Sequence, residues 1–495
     1  MRLTRFSEDR WYIVGYVVLI LLLLAKYAWT LFAFEVPLGF DPGIYRYLFV
    51  KHTTAFPPFS IAPMDGWALE HPLGLFFFST ILLRLGLPVD ALVGWVWNLV
   101  PIATALVLAF TAGRSYGRLV GFLTLLMALL SVAQYEGFLL MYWKTALALI
   151  FVALTFHFIE EHSFAAILFG MFAFATHHQT GFLLGLIVLT WLVVDYFKTE
   201  GGPGFRKILL LVVPALILGA LWYVPMWDVV LQHLSMIFQG NAVPGTFPPP
   251  SVFLVYSGLL LLLGVIGFIL SMDEGISIWH VAALWALIAV AAKFLFYRRF
   301  FLHLDFFLLP FAGYAVAQAW TRWKSWALQS LVCVLLLVQA LFTLQAIAPN
   351  QLDLLCLLSF QICEQYPLEE IRPTIDSETF RRIADAAALP EATLILALEP
   401  ETAPWLRGYL PNHRIAGPGV FESPWDYGEW EKFLLGTQAE RRNVLRSVSG
   451  PAAVFLTDRF SARYGENAER FLEDPCLQKT DSPSLLAVSP SCTAL

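Results

Sequence analysis

Five stretches of about twenty residues carry almost no charge: 11–34, 91–112, 208–227, 252–270 and 328–347. Each approaches or exceeds the roughly 20 apolar residues needed to cross a bilayer. In hydrocarbon every backbone N–H and C=O must be bonded within the protein, so such runs fold as helices. Trp, Tyr and Phe gather at their ends, where amphipathic rings suit the lipid–water interface. Only 14% of the residues are charged, against about a quarter in soluble domains. The first run is long and has no small-residue cleavage site, so it is expected to remain as a span and not to be removed as a leader.

Apolar periodicity extends these runs to about eleven transmembrane helices: 11–34, 90–112, 119–135, 138–158, 163–177, 178–195, 207–227, 252–270, 277–296, 300–319 and 327–347. Segment 72–87 is apolar but short, contains Arg84 and ends in Gly86-Leu87-Pro88. It is placed as a helix in the membrane plane, inside a long first external loop, 35–89. Charge decides that placement. One side then receives Arg2, Arg5 and Arg10, Arg114 and Arg118, Lys198, Arg206 and Lys207, and Arg322 and Lys324. The other holds only Lys144, Lys293, Arg298 and Arg299 near its short loops, plus Arg46 and Lys51 in the long first loop. Positive charge in short loops marks the cytoplasmic face. The N-terminus is therefore expected in the cytoplasm, and the tail outside a plasma membrane (the inner one where there are two).

The tail changes character. Short apolar runs at 392–398, 452–456 and 485–488 read as strands, and 377–388 and 426–435 as helices. The expected fold class is thus a polytopic α-helical membrane protein: a transmembrane domain at 1–348 and a small external α/β domain at 349–495. Four of the five cysteines, Cys356, Cys363, Cys476 and Cys492, lie in that tail. Three disulfide pairings are open to them, and so are buried free thiols. The net charge of -6 comes with no basic stripe, which argues against a nucleic-acid partner.

Most unusual polar residues outside the tail fall in the expected external loops. The first of these opens Gly39-Phe40-Asp41-Pro42-Gly43, and further on reads Glu70-His71-Pro72-Leu73-Gly74 before the in-plane helix. Gly113-Arg114-Ser115-Tyr116-Gly117-Arg118 follows the second span. The second external loop reads QYEGFLLMYWK over 134–144, and Ala175-Thr176-His177-His178-Gln179-Thr180-Gly181 forms a later external turn. In their order and sidedness these segments resemble the GT-C superfamily of membrane glycosyltransferases, in particular the protein O-mannosyltransferase and aminoarabinose transferase families. The pattern covers roughly residues 11–195.

The resemblance implies an inverting glycosyltransferase that uses a polyprenyl-phosphate sugar donor at the external face, with Asp41 as general base. Candidate substrate-binding residues are Glu70, His71, Lys144, His177, His178, Lys293, Arg298, Arg299 and His303. Glu136 is the candidate ligand should a divalent cation such as Mg or Mn take part. The sequence also departs from the superfamily. Asp41 is followed by Pro42 where paired acids are common, Glu136 is the lone carboxylate of its loop, and the Trp-Trp-Asp signature of oligosaccharyltransferases is missing from the tail.

Simpler readings stand beside these. Asp before Pro is a common turn former, and Arg298, Arg299 and Lys293 can snorkel to headgroups. Lys144 falls within an apolar run, where an ionisable group is costly and marks function. Asp305 is expected to pair with Arg298 or Arg299. Pro244-Gly245-Thr246-Phe247-Pro248-Pro249-Pro250 cannot be helix or central strand and either covers a groove or merely connects spans. Two other classes compete: a transporter or lipid-carrier flippase, which would be expected to show repeated halves, and a membrane scaffold whose external domain binds a partner.

Overall fold

A computed structural model describes residues 2–39, 41–54, 71–200, 203–238, 243–294, 296–348, 366, 371–420 and 423–493. They fall into two compact units, one holding 1–32, 72–75 and 95–371, the other 33–71, 76–94 and 372–495.

The first unit is helical. Its elements are α1 (Arg2–Ala33), α4 (Val100–Tyr116, entered through short turns from Val89), α5 (Arg118–Leu130), α6 (Val132–Leu139) and α7 (Trp143–Glu160). Then come α8 (Ala165–Thr176), α9 (His178–Lys198), α10 (Pro203–Leu221), α11 (Trp227–Phe238) and α12 (Pro250–Ser271). The last are α13 (Ile278–Ala291), α14 (Phe300–Gln318) and α15 (Trp326–Ile347). Among the described residues 8 helices are long and apolar enough to cross a membrane, or 9 if α5 and α6 count as one span. The expected count of eleven is not confirmed at that length. Runs 163–177 and 277–296 supply only the 12 and 14 helical residues of α8 and α13, roughly 20 Å each at 1.5 Å per residue. Run 119–135 is broken.

The break is supported from neighbouring helices. α5 and α6 meet at Ser131 with a bend of 53°, which strips the last carbonyls of α5 of their helical partners. Side chains from α1 and α15 supply donors. Lys26 Nζ on α1 donates to Leu129 O at 2.8 Å and Ser131 O at 2.7 Å. Gln339 Nε2 and Thr343 Oγ1 on α15 donate to Leu130 O at 3.1 and 2.6 Å. Without water to fill those roles, such side chains are what makes a broken helix tolerable in a bilayer. Close backbone approach holds the bundle elsewhere: a Cβ on Gly267 of α12 would lie 1.8 Å from Phe311 O of α14, the small-residue contact favoured between membrane helices.

Loops assigned to one side by charge touch one another. Arg114 pairs with Glu161 at 3.2 Å, Tyr116 hydroxyl meets Ser277 Oγ at 2.7 Å, and Lys198 donates to Ile276 O at 2.8 Å. At the other end Tyr142 meets Thr246 at 2.7 Å, and the Arg298 amide donates to Pro244 O at 2.9 Å. The parity read from Lys and Arg counts thus sorts the loops into two sets that geometry also keeps apart.

The second unit contains α2 (Pro42–Thr54), most of α3 (Gly74–Arg84) and the tail. The tail forms α16 (Ser377–Ala386), β1 (Leu394–Ala397), α17 (Ala403–Tyr409), β2 (Arg414–Ala416), α18 (Tyr427–Leu435) and α19 (Gln438–Leu445). β3 (Ala452–Phe455), α20 (Asp458–Tyr464), α21 (Glu466–Leu472), β4 (Leu477–Lys479) and β5 (Leu485–Val488) complete it. The sheet order is β2-β1-β3-β5-β4, with β1 parallel to β2 and β3 and the last two pairings antiparallel. Cys476 and Cys492 are disulfide-bonded; Cys356 and Cys363 lie outside the described residues.

Candidate active site

The site is built at one end of the helical unit. α6 ends in a tight turn, where the Met141 amide donates to Phe138 O and the Tyr142 amide to Gly137 O, both at 2.9 Å. That turn needs a left-handed residue, normally glycine, and Met141 fills it at φ 55°. The cost is of order 1–3 kcal/mol. It delivers Tyr142 as a helix-capping residue and Lys144 in the first turn of α7.

Phe296, left-handed at φ 57°, turns the chain into α14 just before Arg298 and Arg299. Arg299 lies over the Tyr142 and Phe296 rings at 5.4 and 5.0 Å and reaches Thr246 Oγ1 at 3.4 Å. The Pro-rich segment is therefore more than a connector: its Thr246 is held by both Tyr142 and Arg299. Beside it a shallow cleft is lined by Glu136, Phe247, Pro248, Phe253 and Tyr256, among others.

His177 stands between α8 and α9 in extended conformation and caps α9, its carbonyl accepting from the Gly181 amide at 2.8 Å. Its Nδ1 lies 2.8 Å from Thr180 Oγ1, and the same hydroxyl lies 2.7 Å from His303 Nε2. His303 Nδ1 in turn meets Arg299 O at 3.2 Å. The charged and titratable groups within electrostatic reach of His177 are His178, His303, Lys144 and Arg299. Five of the nine residues proposed from sequence to bind substrate thus converge from α7, α8–α9 and the start of α14.

Lys293 and Arg298 are held differently. Lys293 is exposed and left-handed at φ 50° in the cap of α13. Arg298 joins the loop through its backbone. His71 lies in the second unit, its ring 6.2 Å from Phe76, and Glu70 is outside the described residues. Glu136 lines the cleft, but among the described residues no group of three or more His, Cys, Asp or Glu is arranged to hold a metal ion.

Asp305 was expected to pair with Arg298 or Arg299, and that is corrected. It is buried, and its Oδ2 accepts from Ser131 Oγ at 2.8 Å and Gln134 Nε2 at 3.0 Å. Six and seven residues beyond the arginines, it faces the helix break. Sequence reasoning missed Lys26 altogether, although an ionisable residue inside a span is itself the signal.

Asp41 belongs to the second unit. Its carbonyl accepts the first helical bond of α2 from the Tyr45 amide at 2.9 Å. The helix that it opens is clamped by the tail. A Cβ on Gly43 would lie 2.0 Å from Pro404 O, and one on Gly408 2.4 Å from Gly43 O. Arg46 holds Asp90 at 2.8 Å and Gly408 O at 2.7 Å, while Arg407 reaches Tyr47 hydroxyl at 3.0 Å. Glu35 is kept below the usual carboxylate range by hydrogen bonds from Ser377 and Arg381. Helix α2 and the α/β tail are therefore packed into one body.

No family model and no curated protein sequence matches the chain. Solved structures do. A crystal structure of the Archaeoglobus fulgidus oligosaccharyltransferase tethered with an acceptor peptide matches 98% of this chain and 75% of its own, at 12% identity and a TM-score of 0.55. ArnT from Cupriavidus metallidurans in the apo state matches over 99% of this chain and 100% of its own, at 13% identity and a TM-score of 0.54. The chain shares their fold; in it a helical membrane bundle is followed by a small domain built on a mixed sheet.

Proposed function

We propose that the protein is a membrane glycosyltransferase that moves a sugar from a polyprenyl-phosphate-linked donor to an acceptor hydroxyl at the external face, with inversion. The observation that carries this is the convergence of Lys144 and Arg299 with three imidazoles at one end of a bundle of GT-C fold. Such a cluster suits a phosphate: guanidinium gives a planar fork, and ammonium a compact charge. In the transfer the acceptor oxygen bonds to the anomeric carbon as the bond from that carbon to the phosphate oxygen breaks. The electron pair stays on the phosphate, where Lys144 and Arg299 stabilise it. The acceptor proton goes to the Asp41 carboxylate, the general base of this reading. A single displacement of that kind inverts the anomeric centre.

Purified protein given radiolabelled polyprenyl-phosphate sugar tests the reading. Asp41→Asn should abolish transfer, and Arg299→Gln or Lys144→Gln should lower turnover about a hundredfold, the usual scale for losing one charge-stabilising donor. Full transfer by all three variants would sink it.

A further inference from the structure

The hydrogen-bond chain through Thr180 fixes more than packing. Arg299 O is a carbonyl and can only accept, so the His303 nitrogen facing it at 3.2 Å, Nδ1, carries the proton. In the neutral ring His303 Nε2 is then an acceptor, and the group beside it at 2.7 Å is the Thr180 hydroxyl. That hydroxyl has one proton and donates it to His303. Its oxygen is left to accept from His177 Nδ1 at 2.8 Å, so His177 is protonated on Nδ1. Its Nε2 keeps a lone pair. All three side chains are buried: His303 is 0%, Thr180 1% and His177 4% exposed. The His177 backbone is also fixed, as C-terminal cap of one helix and N-terminal cap of the next. Second-partner hydrogen bonds of this kind decide which imidazole nitrogen faces a ligand.

We infer that the His303–Thr180–His177 chain presents His177 Nε2 as a hydrogen-bond acceptor for a hydroxyl of the donor sugar. This rests on the glycosyltransferase reading above. The chemistry around it fits. Lys144 and Arg299 offer donors only, which suit a phosphate and cannot receive a sugar hydroxyl. A neutral imidazole lone pair among them is the complementary group. Thr180 and His303 act through His177 and are positioning residues. One hydroxyl too few or too many on a ligand is discriminated strongly where a site is built to pair it.

The test uses the full-length purified protein in detergent and diethyl pyrocarbonate, which acylates an accessible unprotonated imidazole nitrogen, with the site assigned by fragment mass spectrometry. His177 should be labelled. A polyprenyl-phosphate hexose should protect it, whereas polyprenyl phosphate without sugar should not. Thr180→Val, which removes the hydroxyl at nearly constant shape, should slow labelling of His177 about tenfold and raise KM for the hexose lipid by a similar factor. Thr180→Ser should restore both to within about twofold of wild type. A merely structural Thr180 would leave the labelling and the protection pattern of His177 unchanged in Thr180→Val.

The outcomes separate the two readings. Equal protection by both lipids means that Nε2 faces the phosphate and overturns the hydroxyl assignment. No labelling of His177 in the unliganded protein means that Nε2 is closed to a ligand and overturns the inference. Sugar transfer without protection of His177 overturns this inference alone. No transfer and no protection overturns it together with the glycosyltransferase reading.

Discussion

Lys26 is the residue whose removal tests the architecture hardest. It is 4% exposed in the C-terminal part of α1, and its ammonium donates to Leu129 O and Ser131 O at 2.8 and 2.7 Å. Ser131 Oγ in turn donates to the buried Asp305 carboxylate at 2.8 Å, so Lys26 and Asp305 hold the helix break from two sides. Lys26→Met keeps the length and removes the charge. Two carbonyls then lose a charge-assisted donor, worth about 1.5–3 kcal/mol each in soluble proteins. Interhelical hydrogen bonds inside bilayers average nearer ~0.6 kcal/mol, which sets the lower bound. Asp305, whose carboxyl feels the Lys26 charge without pairing with it, loses that influence as well. A loss of about 3 kcal/mol is the central expectation. The assay is reversible unfolding in mixed micelles, read for Lys26→Met, Asp305→Asn and the double variant. Because both residues act on Ser131, the double variant should recover at least about 1 kcal/mol relative to the sum of the singles. A loss below about 0.5 kcal/mol, or strict additivity, would refute the claim that these side chains replace the missing backbone partners.

Other consequences are open to measurement. His52 is buried against Phe76, the rings stacked 4.7 Å apart, and its Nε2 has no hydrogen-bond partner among the described residues; burial holds its pKa down to about 4. Above the unfolded value of about 6.5 both states are neutral, and below it only the unfolded chain binds the proton. Stability of the loop–tail body should therefore fall as pH drops from about 6.5 to 4, by up to about 3 kcal/mol, and His52→Phe should flatten that slope; an unchanged slope contradicts it. Gly408→Ala should loosen the clamp on α2 at a cost of about 1–3 kcal/mol, seen as faster hydrogen exchange at 42–54, and unchanged exchange would show the clamp to be idle. In a Cys333→Ser background, an impermeant thiol reagent should label Ser115→Cys and Ser423→Cys from opposite faces of the membrane. Labelling from one face would overturn the topology.

Legibility followed physical cause. Long apolar runs and Lys/Arg bias declare spans and sidedness directly, because the bilayer imposes both. The three strands β1, β3 and β5 were legible as apolar runs, since each is buried. β2 and β4 were not: Arg414-Ile415-Ala416 and Leu477-Gln478-Lys479 are edge strands of three residues with exposed polar positions, and such edges carry little apolar signal. Lys144 stood out because a charge within an apolar run has no bland use. His303 was reached through its i, i+4 spacing from Arg299, which the start of α14 at Phe300 makes real. What Thr180 and Lys26 do was illegible for a different reason, although Lys26 as a charge inside a span was in plain view. Their roles depend on which neighbouring helix brings an acceptor to them, His303 from more than a hundred residues away in one case and Leu129 and Ser131 in the other. The clamp of the tail on α2 likewise joins segments some 360 residues apart, and no local pattern announces a glycine-to-glycine contact of that span.

The most direct test of the central claim is the fate of a doubly labelled donor, with one isotope on the sugar and another on the polyprenyl phosphate, in proteoliposomes holding the purified protein. The glycosyltransferase reading predicts that sugar and lipid phosphate part company in equal amounts on the external face, and that Asp41→Asn leaves the donor whole. Movement of the intact donor between leaflets with no bond broken would contradict that reading and establish a lipid-carrier flippase instead.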